Sequence, residues 1–298
     1  MTAELLPALR EQYGVPAVKL SEAVTRADML VPGDPPVRAR VHRAADQDGP
    51  RPGILSIHGG GYVLGSCAED DLLFDRWCTA HGVVGVSVDY RLAPETPYPG
   101  PLEDCHLVLA WAYEHRDELG IDGHALGVRG TSAGGGLAAG LALLARDRGE
   151  VPVAFQLLEC PMLDDRQVTP SSRMEGLPVW SRESNRFGWQ CYLGALYGTD
   201  EVPPYAAAAR ATDLVGLPPA FLSIGSVDGF RDEVIDYATR LTRAGVPTEL
   251  HVYAGAPHGY QMAVRSSIAR QARHDIAAWL DRRLRRQAVP VAGGPSHG

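Results

Sequence analysis

The 298-residue chain is acidic, with 36 Asp and Glu against 28 Lys and Arg and a formal net charge of -8 at pH 7. Its 45% hydrophobic and 21% charged residues are typical of a folded globular protein and exclude an intrinsically disordered chain. The negative charge disfavours phosphate backbones and anionic lipid surfaces. We therefore expect one large core, with neither nucleic acid nor a membrane as a partner.

The cysteine usage favours a reducing compartment. The five cysteines are odd in number and form no CxxC pair, so they cannot all be paired within one chain. The first residues mix Glu4, Arg10 and Glu11, unlike the basic and then apolar order of a signal peptide. No apolar run reaches the roughly 18 residues of a membrane span. The sequence predicts a cytoplasmic protein and leaves a homodimer open as an alternative to a monomer.

Short apolar runs alternate with longer helical patterns along the chain. The runs predict buried strands at residues 53–58, 83–88, 125–129, 153–158, 220–224 and 249–253. The helical patterns lie between and after them, at about residues 74–81, 102–118, 133–148, 231–244 and 262–284. This alternation predicts an α/β fold with a mostly parallel central sheet and helices on both faces.

The alternation stops between about residues 165 and 213, where aromatic residues occur without a clear strand. Structureless loops of that length are uncommon in compact domains, so we expect a helical insertion. With residues 1–24 it would form a cap on a main domain of residues 25–287, although its aromatic residues fit a second core equally well. The tail, residues 288–298, has turn residues and no periodicity, which predicts disorder.

The segment Gly130-Thr131-Ser132-Ala133-Gly134 follows a predicted strand and opens a predicted helix. A nucleophile elbow has this setting, with the serine hydroxyl exposed on a strained turn. Gly130 and Gly134 fit because a Cβ would collide where the strand and the helix cross closely. A GxSxG pattern alone often arises by chance, but its position between strand and helix favours Ser132 as a nucleophile.

A second glycine-rich segment, His58-Gly59-Gly60-Gly61, ends an earlier predicted strand. One interpretation is that these three glycines only form a flexible turn without a catalytic function. In the functional interpretation, the backbone N–H groups of Gly59 and Gly60 join that of Ala133 to form an oxyanion hole for a tetrahedral intermediate. We assign no catalytic role to His58.

Two further residues complete a catalytic pattern in the order serine, acid, histidine that this elbow requires. Asp228 and His258 follow successive predicted strands, where ligands bind in open α/β sheets. Asp232, four residues after Asp228, falls in the first turn of a predicted helix and has a structural role there. We therefore predict a triad of Ser132, Asp228 and His258. The sequence has no HExxH pattern and no cluster of metal ligands, so no metal is expected.

Six segments stand in a fixed order between residues 52 and 261, namely HGGGYVLGS (58–66), DYRLAPE (89–95), YPGPLED (98–104), GTSAGG (130–135), LPPAFLSIGSVDGFRDE (217–233) and YAGAPHGY (253–260). With these segments the chain resembles the bacterial hormone-sensitive-lipase-like family of esterases. The resemblance implies an α/β-hydrolase fold with a helical cap, and a cofactor-free carboxylesterase acting on short to medium acyl esters. The expected partner is thus a small-molecule ester.

The chain departs from the family pattern at two places. Thr131 stands where many members have Asp, which places the chain in a GTSAG subgroup, and we expect its hydroxyl to supply the missing hydrogen bond. Gly229 and Phe230 stand where many members have Pro and Leu, which leaves the carboxylate of Asp228 in place.

The substrate pocket and the reaction class each leave alternatives. We expect Tyr62, beside the oxyanion turn, and Trp180 and Phe187, in the insertion, to line the acyl or alcohol pocket. Amide cleavage by an amidase or formamidase of the same fold is one alternative to ester cleavage. A non-catalytic ligand-binding relative is another, which the retained His258 disfavours.

Overall fold

The computed structural model describes residues 1–14 and 19–287; the predicted disordered tail, residues 288–298, lies outside that range, as do residues 15–18 of the predicted cap. One eight-stranded sheet forms the centre of the described part. Its strands in chain order are β1 (Val24–Val31), β2 (Val37–Ala44), β3 (Arg51–Ile57), β4 (Val84–Asp89), β5 (Ile121–Thr131), β6 (Gln156–Glu159), β7 (Ala220–Val227) and β8 (Thr248–Pro257).

The strands lie in the order β1-β2-β4-β3-β5-β6-β7-β8. The six predicted strands are found as β3 to β8 and pair in parallel. The strands β1 and β2 were not predicted; they extend one edge of the sheet in antiparallel pairing. The alternating arginines and apolar residues of β2, and the mostly exposed side chains of β1, suit a sheet margin that faces solvent.

Helices cover both faces of the sheet. In chain order the described helices are α1 (Leu6–Gln12), α2 (Asp71–His81), α3 (Gly100–Glu114), α4 (Arg116–Leu119), α5 (Ala133–Arg148), α6 (Arg182–Leu193), α7 (Arg231–Arg243) and α8 (Ser267–Gln287). Apolar side chains of α2 and α8 share one core with the sheet, whereas those of α3, α5 and α7 belong to the larger core. The predicted α/β architecture is confirmed.

The insertion between residues 165 and 213 is helical only in part. It contains α6, which Ser181 caps by accepting a hydrogen bond from the Ser184 N–H, and three short 3₁₀ turns. Its irregular segments are fixed by polar contacts, such as the two hydrogen bonds from the Arg210 guanidinium to Asp165 at 2.7 and 2.8 Å. Side-chain contacts therefore order a stretch that backbone periodicity does not.

The N-terminal segment packs onto the loops that follow β3 and β4. Arg10 of α1 donates hydrogen bonds to the carbonyl oxygens of Val63 and Ala93 at 2.9 and 2.7 Å and a bidentate pair to Glu95. The amino group of Met1 lies 3.2 Å from Ser184 Oγ. The segment thus contacts α6 of the insertion.

All five cysteines are unpaired thiols, and four of them are buried. This agrees with the expectation that they are not all paired. Among the described helices, none combines the length and the apolar character that crossing a membrane requires.

Candidate active site

Ser132 lies on the turn between β5 and α5, and its backbone has a φ of 56°, which residues other than glycine rarely adopt. Its N–H donates to the Glu159 carbonyl oxygen at 2.8 Å, which ties the turn to β6. The flanking glycines are required by close packing. A Cβ on Gly130 would lie 2.0 Å from the Gly134 oxygen, and one on Gly134 would lie 2.1 Å from the Ile57 oxygen.

The three side chains of the predicted triad are brought together. Ser132 Oγ lies 3.0 Å from His258 Nε2, and His258 Nδ1 lies 2.7 Å from Asp228 Oδ2. All three residues are buried. The second oxygen of Asp228 accepts the Phe230 N–H at 3.0 Å, which fixes the carboxylate. With Nδ1 donating to Asp228, Nε2 is the imidazole atom that can take the serine proton.

Asp232 serves a different contact. It lies in the first turn of α7, where its carboxylate accepts the Ser171 N–H at 2.7 Å and a hydrogen bond from Arg231 at 2.8 Å. The hydroxyl of Ser171 in turn accepts the Asp232 N–H at 3.0 Å. Asp232 therefore anchors the insertion to α7, and Asp228 is the carboxylate bonded to the histidine.

The glycine turn after β3 lies beside Ser132. A Cβ on Gly59 would lie 3.5 Å from the Ser132 Cβ, and the turn closes as the Gly60 carbonyl accepts the Val63 N–H at 3.1 Å. Gly60 has a φ of 101°, and a side chain there would meet the Leu64 backbone oxygen at 2.2 Å. Glycine is thus required for this path of the chain.

None of the described residues accepts a hydrogen bond from the backbone N–H of Gly59, Gly60 or Ala133. The Ala133 N–H belongs to the first turn of α5, where N–H groups have no acceptor within the helix. His58 stacks on Tyr90 at 4.2 Å between ring centroids, and the Tyr90 hydroxyl donates to the His58 carbonyl at 3.1 Å. His58 thus supports the turn by packing.

A cavity of about 600 Å³ opens beside Ser132 and His258. Small-molecule sites commonly have this size. Of the three residues expected in the substrate pocket, Trp180 lines the cavity and packs over Gly61, where a Cβ would lie 2.1 Å from its ring. Tyr62 and Phe187 do not belong to the described residues that line it.

Tyr62 is instead a core residue. It is fully buried and stacks on Tyr192 at 4.0 Å between ring centroids, with Trp189 at 5.2 Å. Burial holds the pKa of its phenol well above the usual value, so the ring stays neutral. Phe187 packs against the same core. The insertion contributes an aromatic core behind the cavity, which is why nearness in sequence to the glycine turn misplaced Tyr62.

Arg129, which the sequence analysis did not single out, lies on β5 three residues before Ser132 and is buried. Its guanidinium donates to Glu159 at 2.6 and 3.1 Å, to Asp70 at 2.9 Å and to the Thr131 hydroxyl at 2.7 Å. The Thr131 hydroxyl therefore supports the elbow through Arg129. An arginine inside an apolar strand requires charged partners, and that signal was present in the sequence.

Among the described residues, one group has donor atoms close enough to hold a metal ion, Cys160 with Asp228 and His258. Two of its members are hydrogen-bonded to each other. Burial raises the pKa of the Cys160 thiol well above its usual value, so the protonated form is favoured. Because a thiolate is the form that binds metal, this donor set does not fit a metal centre.

Residues 54–262 match the family model described as the alpha/beta hydrolase fold. Among curated proteins, the chain is 37% identical over 210 residues to the esterase LipI of Mycobacterium tuberculosis, covering 70% of this chain and 65% of that protein. It is also 37% identical over 211 residues to the carboxylesterase NlhH of the same species, covering 70% of this chain and 66% of that one. The match thus spans slightly less than two thirds of both relatives.

Solved structures give similarity over most of the chain. A bacterial heroin esterase superposes with a TM-score of 0.91 at 41% identity, covering 94% of this chain and 92% of its own. The esterase LipW from Mycobacterium marinum superposes with a TM-score of 0.85 at 36% identity, covering 95% and 91%. The expected resemblance to an esterase family is confirmed, and membership of the GTSAG subgroup stays a prediction.

Proposed function

We propose that this chain, which belongs to the alpha/beta hydrolase fold family, is a serine carboxylesterase that hydrolyses short to medium acyl esters without a cofactor. One observation carries the proposal. Ser132, His258 and Asp228 form a continuous hydrogen-bonded series with distances of 3.0 and 2.7 Å. This series lies next to backbone N–H groups that have no acceptor among the described residues.

In the first half of the reaction, His258 Nε2 takes the proton of Ser132 as its oxygen attacks the ester carbonyl carbon. The N–H groups of Gly59, Gly60 and Ala133 donate to the negative oxygen of the tetrahedral intermediate. Asp228 stabilises the imidazolium. When the bond to the alcohol oxygen breaks, the imidazolium gives its proton to that oxygen, and an acyl-Ser132 ester remains.

In the second half, water attacks the acyl carbon while His258 takes a proton from it. A second tetrahedral intermediate forms on the same N–H donors. Its collapse breaks the bond to Ser132 Oγ, which regains its proton from His258. The carboxylic acid leaves and the enzyme returns to its starting state.

The names of the relatives favour esters over the alternatives, since both curated relatives are named as esterases. Amide cleavage uses the same machinery and differs in the leaving group. Matched p-nitrophenyl acetate and p-nitroacetanilide decide between them, and we expect the ester to be turned over faster. A non-catalytic relative would have no reactive serine; a fluorophosphonate probe is expected to label the wild type and to spare the Ser132→Ala variant.

The direct test is hydrolysis of p-nitrophenyl esters of increasing acyl length by the purified full chain. We expect saturable turnover of the acetate and butyrate esters, with at least about a thousandfold loss in Ser132→Ala. EDTA is expected to leave the rate unchanged. Equal rates for the wild type and Ser132→Ala would contradict the proposed nucleophile.

The domain division is part of the proposal. A catalytic domain of residues 25–287 would be covered by residues 1–24 and about 165–213, which together contribute Met1, Tyr13, Val179, Trp180 and Ser184 to the cavity wall. Five unpaired cysteines support a cytoplasmic location. The homodimer stays a prediction, which light scattering of the full chain tests.

A further inference from the structure

The cavity beside Ser132 continues past the active site into a groove between α2 and α8. The side chains of α2 that line the groove recur at helical spacing and include Leu73, Trp77 and Ala80. On α8 the lining residues recur in the same way, at Arg273, Ile276 and Ala277. Spacings of three and four residues place each set on one face of its helix, so the two helices present facing walls.

The walls of the groove are mainly apolar. Trp77 and Ile276 belong to the same hydrophobic cluster, and Leu73 packs against it. Trp180 and Met1, which belong to the predicted cap, line the same cavity. The cavity that holds Ser132 is therefore bordered both by cap residues and by the apolar groove.

The groove has two defined ends. Near Ser132 it begins at Asp70, which precedes α2 and pairs with the buried Arg129. At the far end His81, the last residue of α2, bonds to Asp281 of α8 at 2.9 Å. The eleven residues of α2 place these ends about 16 Å apart, since an α-helix rises 1.5 Å per residue.

We infer that this α2/α8 groove binds one extended apolar arm of the ester substrate and thereby sets its length. An ester has two arms that extend from its carbonyl carbon, and this carbon must lie at Ser132. An acetate leaves the groove unfilled, whereas each methylene placed in it improves kcat/KM by about fourfold. This inference rests on the proposed ester hydrolysis and adds the substrate class, esters with one linear alkyl arm of medium length.

The test fills the far half of the groove. Ala277→Phe places a ring in the groove, while Ala278→Phe makes the same change at the neighbouring position of α8, outside the described lining. A second pair, Ala80→Leu and Thr79→Leu, uses two exposed positions of α2, of which only Ala80 lines the groove. Because the second pair is exposed, misfolding of the first pair would not remove the test.

Two ester series are measured with each variant, p-nitrophenyl esters from acetate to decanoate and alkyl acetates from ethyl to decyl. In Ala277→Phe and Ala80→Leu we expect kcat/KM for the long members of one series to fall about tenfold, with p-nitrophenyl acetate within about twofold of the wild type. The control variants Ala278→Phe and Thr79→Leu should keep the wild-type kcat/KM for both the long esters and p-nitrophenyl acetate. The series that responds identifies the acyl or the alcohol arm as the occupant.

Unchanged activity on the long members of both series in Ala277→Phe and Ala80→Leu would overturn the inference, as would an equal loss on acetate. Failure of the proposed function gives another result, no turnover of any ester. A second experiment tests the groove without catalysis. It measures the binding of 1-octanol to the Ser132→Ala variant by titration calorimetry. We expect Ala277→Phe in that background to weaken this binding at least about fivefold; equal binding would count against the groove.

Discussion

Asp228 and Asp232 lie only four residues apart, but their carboxylates have different hydrogen-bond partners. Asp228 bonds His258 at 2.7 Å and is buried, whereas Asp232 accepts the Ser171 N–H at 2.7 Å. We predict that Asp228→Asn lowers kcat about 10⁴-fold, the size of this effect in serine proteases, because the histidine loses its orienting carboxylate. Asp232→Asn should keep kcat and lower the free energy of unfolding by about 1 kcal/mol.

Turnover of p-nitrophenyl butyrate and urea unfolding of both variants check this prediction. Circular dichroism first establishes that each variant is folded. If kcat were strongly reduced in Asp232→Asn and nearly unchanged in Asp228→Asn, the assignment of the triad acid would be reversed.

Glu233 is a buried acid whose role is in the fold. One oxygen accepts the N–H groups of Leu163 and Asp164 at 2.8 and 3.2 Å, and burial holds the pKa of the carboxyl well above its usual value. A carboxyl whose pKa is raised by folding stabilises the fold fully below the unfolded value of about 4.3. That contribution is lost progressively as the pH rises toward the folded pKa.

We therefore predict that the Tm of the wild type falls between pH 5 and pH 8 and that Glu233→Gln reduces this fall by about 2 °C or more. Glutamine keeps an oxygen for the two N–H groups and has no proton to lose. Differential scanning calorimetry at several pH values measures the effect, with Glu118→Gln, at an exposed position, as control. A parallel fall in wild type and Glu233→Gln would exclude Glu233 as the titrating group.

At the scale of elements, apolar runs identified the strands β3 to β7 because these strands are buried on both faces of the sheet. The run of β8 was also identified, although β8 lies at the sheet edge and is mostly half-buried or exposed. The runs of β1 and β2 are interrupted by charged residues, since an antiparallel margin exposes alternate side chains. The insertion resisted prediction for another reason. Its order comes from long-range contacts such as Arg210 with Asp165, which leave no periodic trace in the sequence.

The residues of the triad could be predicted because the chemistry requires fixed sequence motifs. The residues around the triad were harder to predict because their positions depend on packing. Ser132, Asp228 and His258 were selected by order and strand position, and the structure places them in hydrogen-bond contact. Tyr62 was assigned to the wrong place because the direction of its ring depends on the positive φ of this residue, which local sequence does not give. Arg129 was missed although a charged residue within an apolar strand was visible, because its partners Asp70 and Glu159 lie far from it in the sequence.

The hydrogen bonds that hold α1 against the rest of the protein lead to a prediction at the scale of elements. Arg10 holds the N-terminal segment through Val63, Ala93 and Glu95. Arg10→Met should raise KM and lower kcat/KM by up to about tenfold with little change in kcat, because the segment borders the cavity and not the reacting atoms. Arg43→Met, at an exposed position of β2, is the matched control in steady-state assays. A loss confined to kcat would argue against this role.

For the whole molecule, the cavity governs how substrate arrives. Its volume of about 600 Å³ is lined by residues that follow the strands, by the N-terminal segment, by the insertion and by the helices α2 and α8. Because this volume suits one small molecule, we expect substrate to enter as a single molecule and not as part of an emulsion surface. We predict that the rate on tributyrin saturates below its solubility limit, and that short dissolved esters are turned over faster than long-chain triglyceride. A sharp rise in rate at the solubility limit would contradict this.

The backbone of Ser132 has a consequence for how the protein can be engineered. A φ of 56° at a residue with a side chain costs on the order of 1 to 3 kcal/mol, and glycine would adopt it without that strain. Folding stability and reactivity therefore favour different residues at this position. Selection of random variants for heat resistance alone should recover Ser132→Gly as a more stable and inactive protein, so any improvement of thermal tolerance must be selected together with turnover.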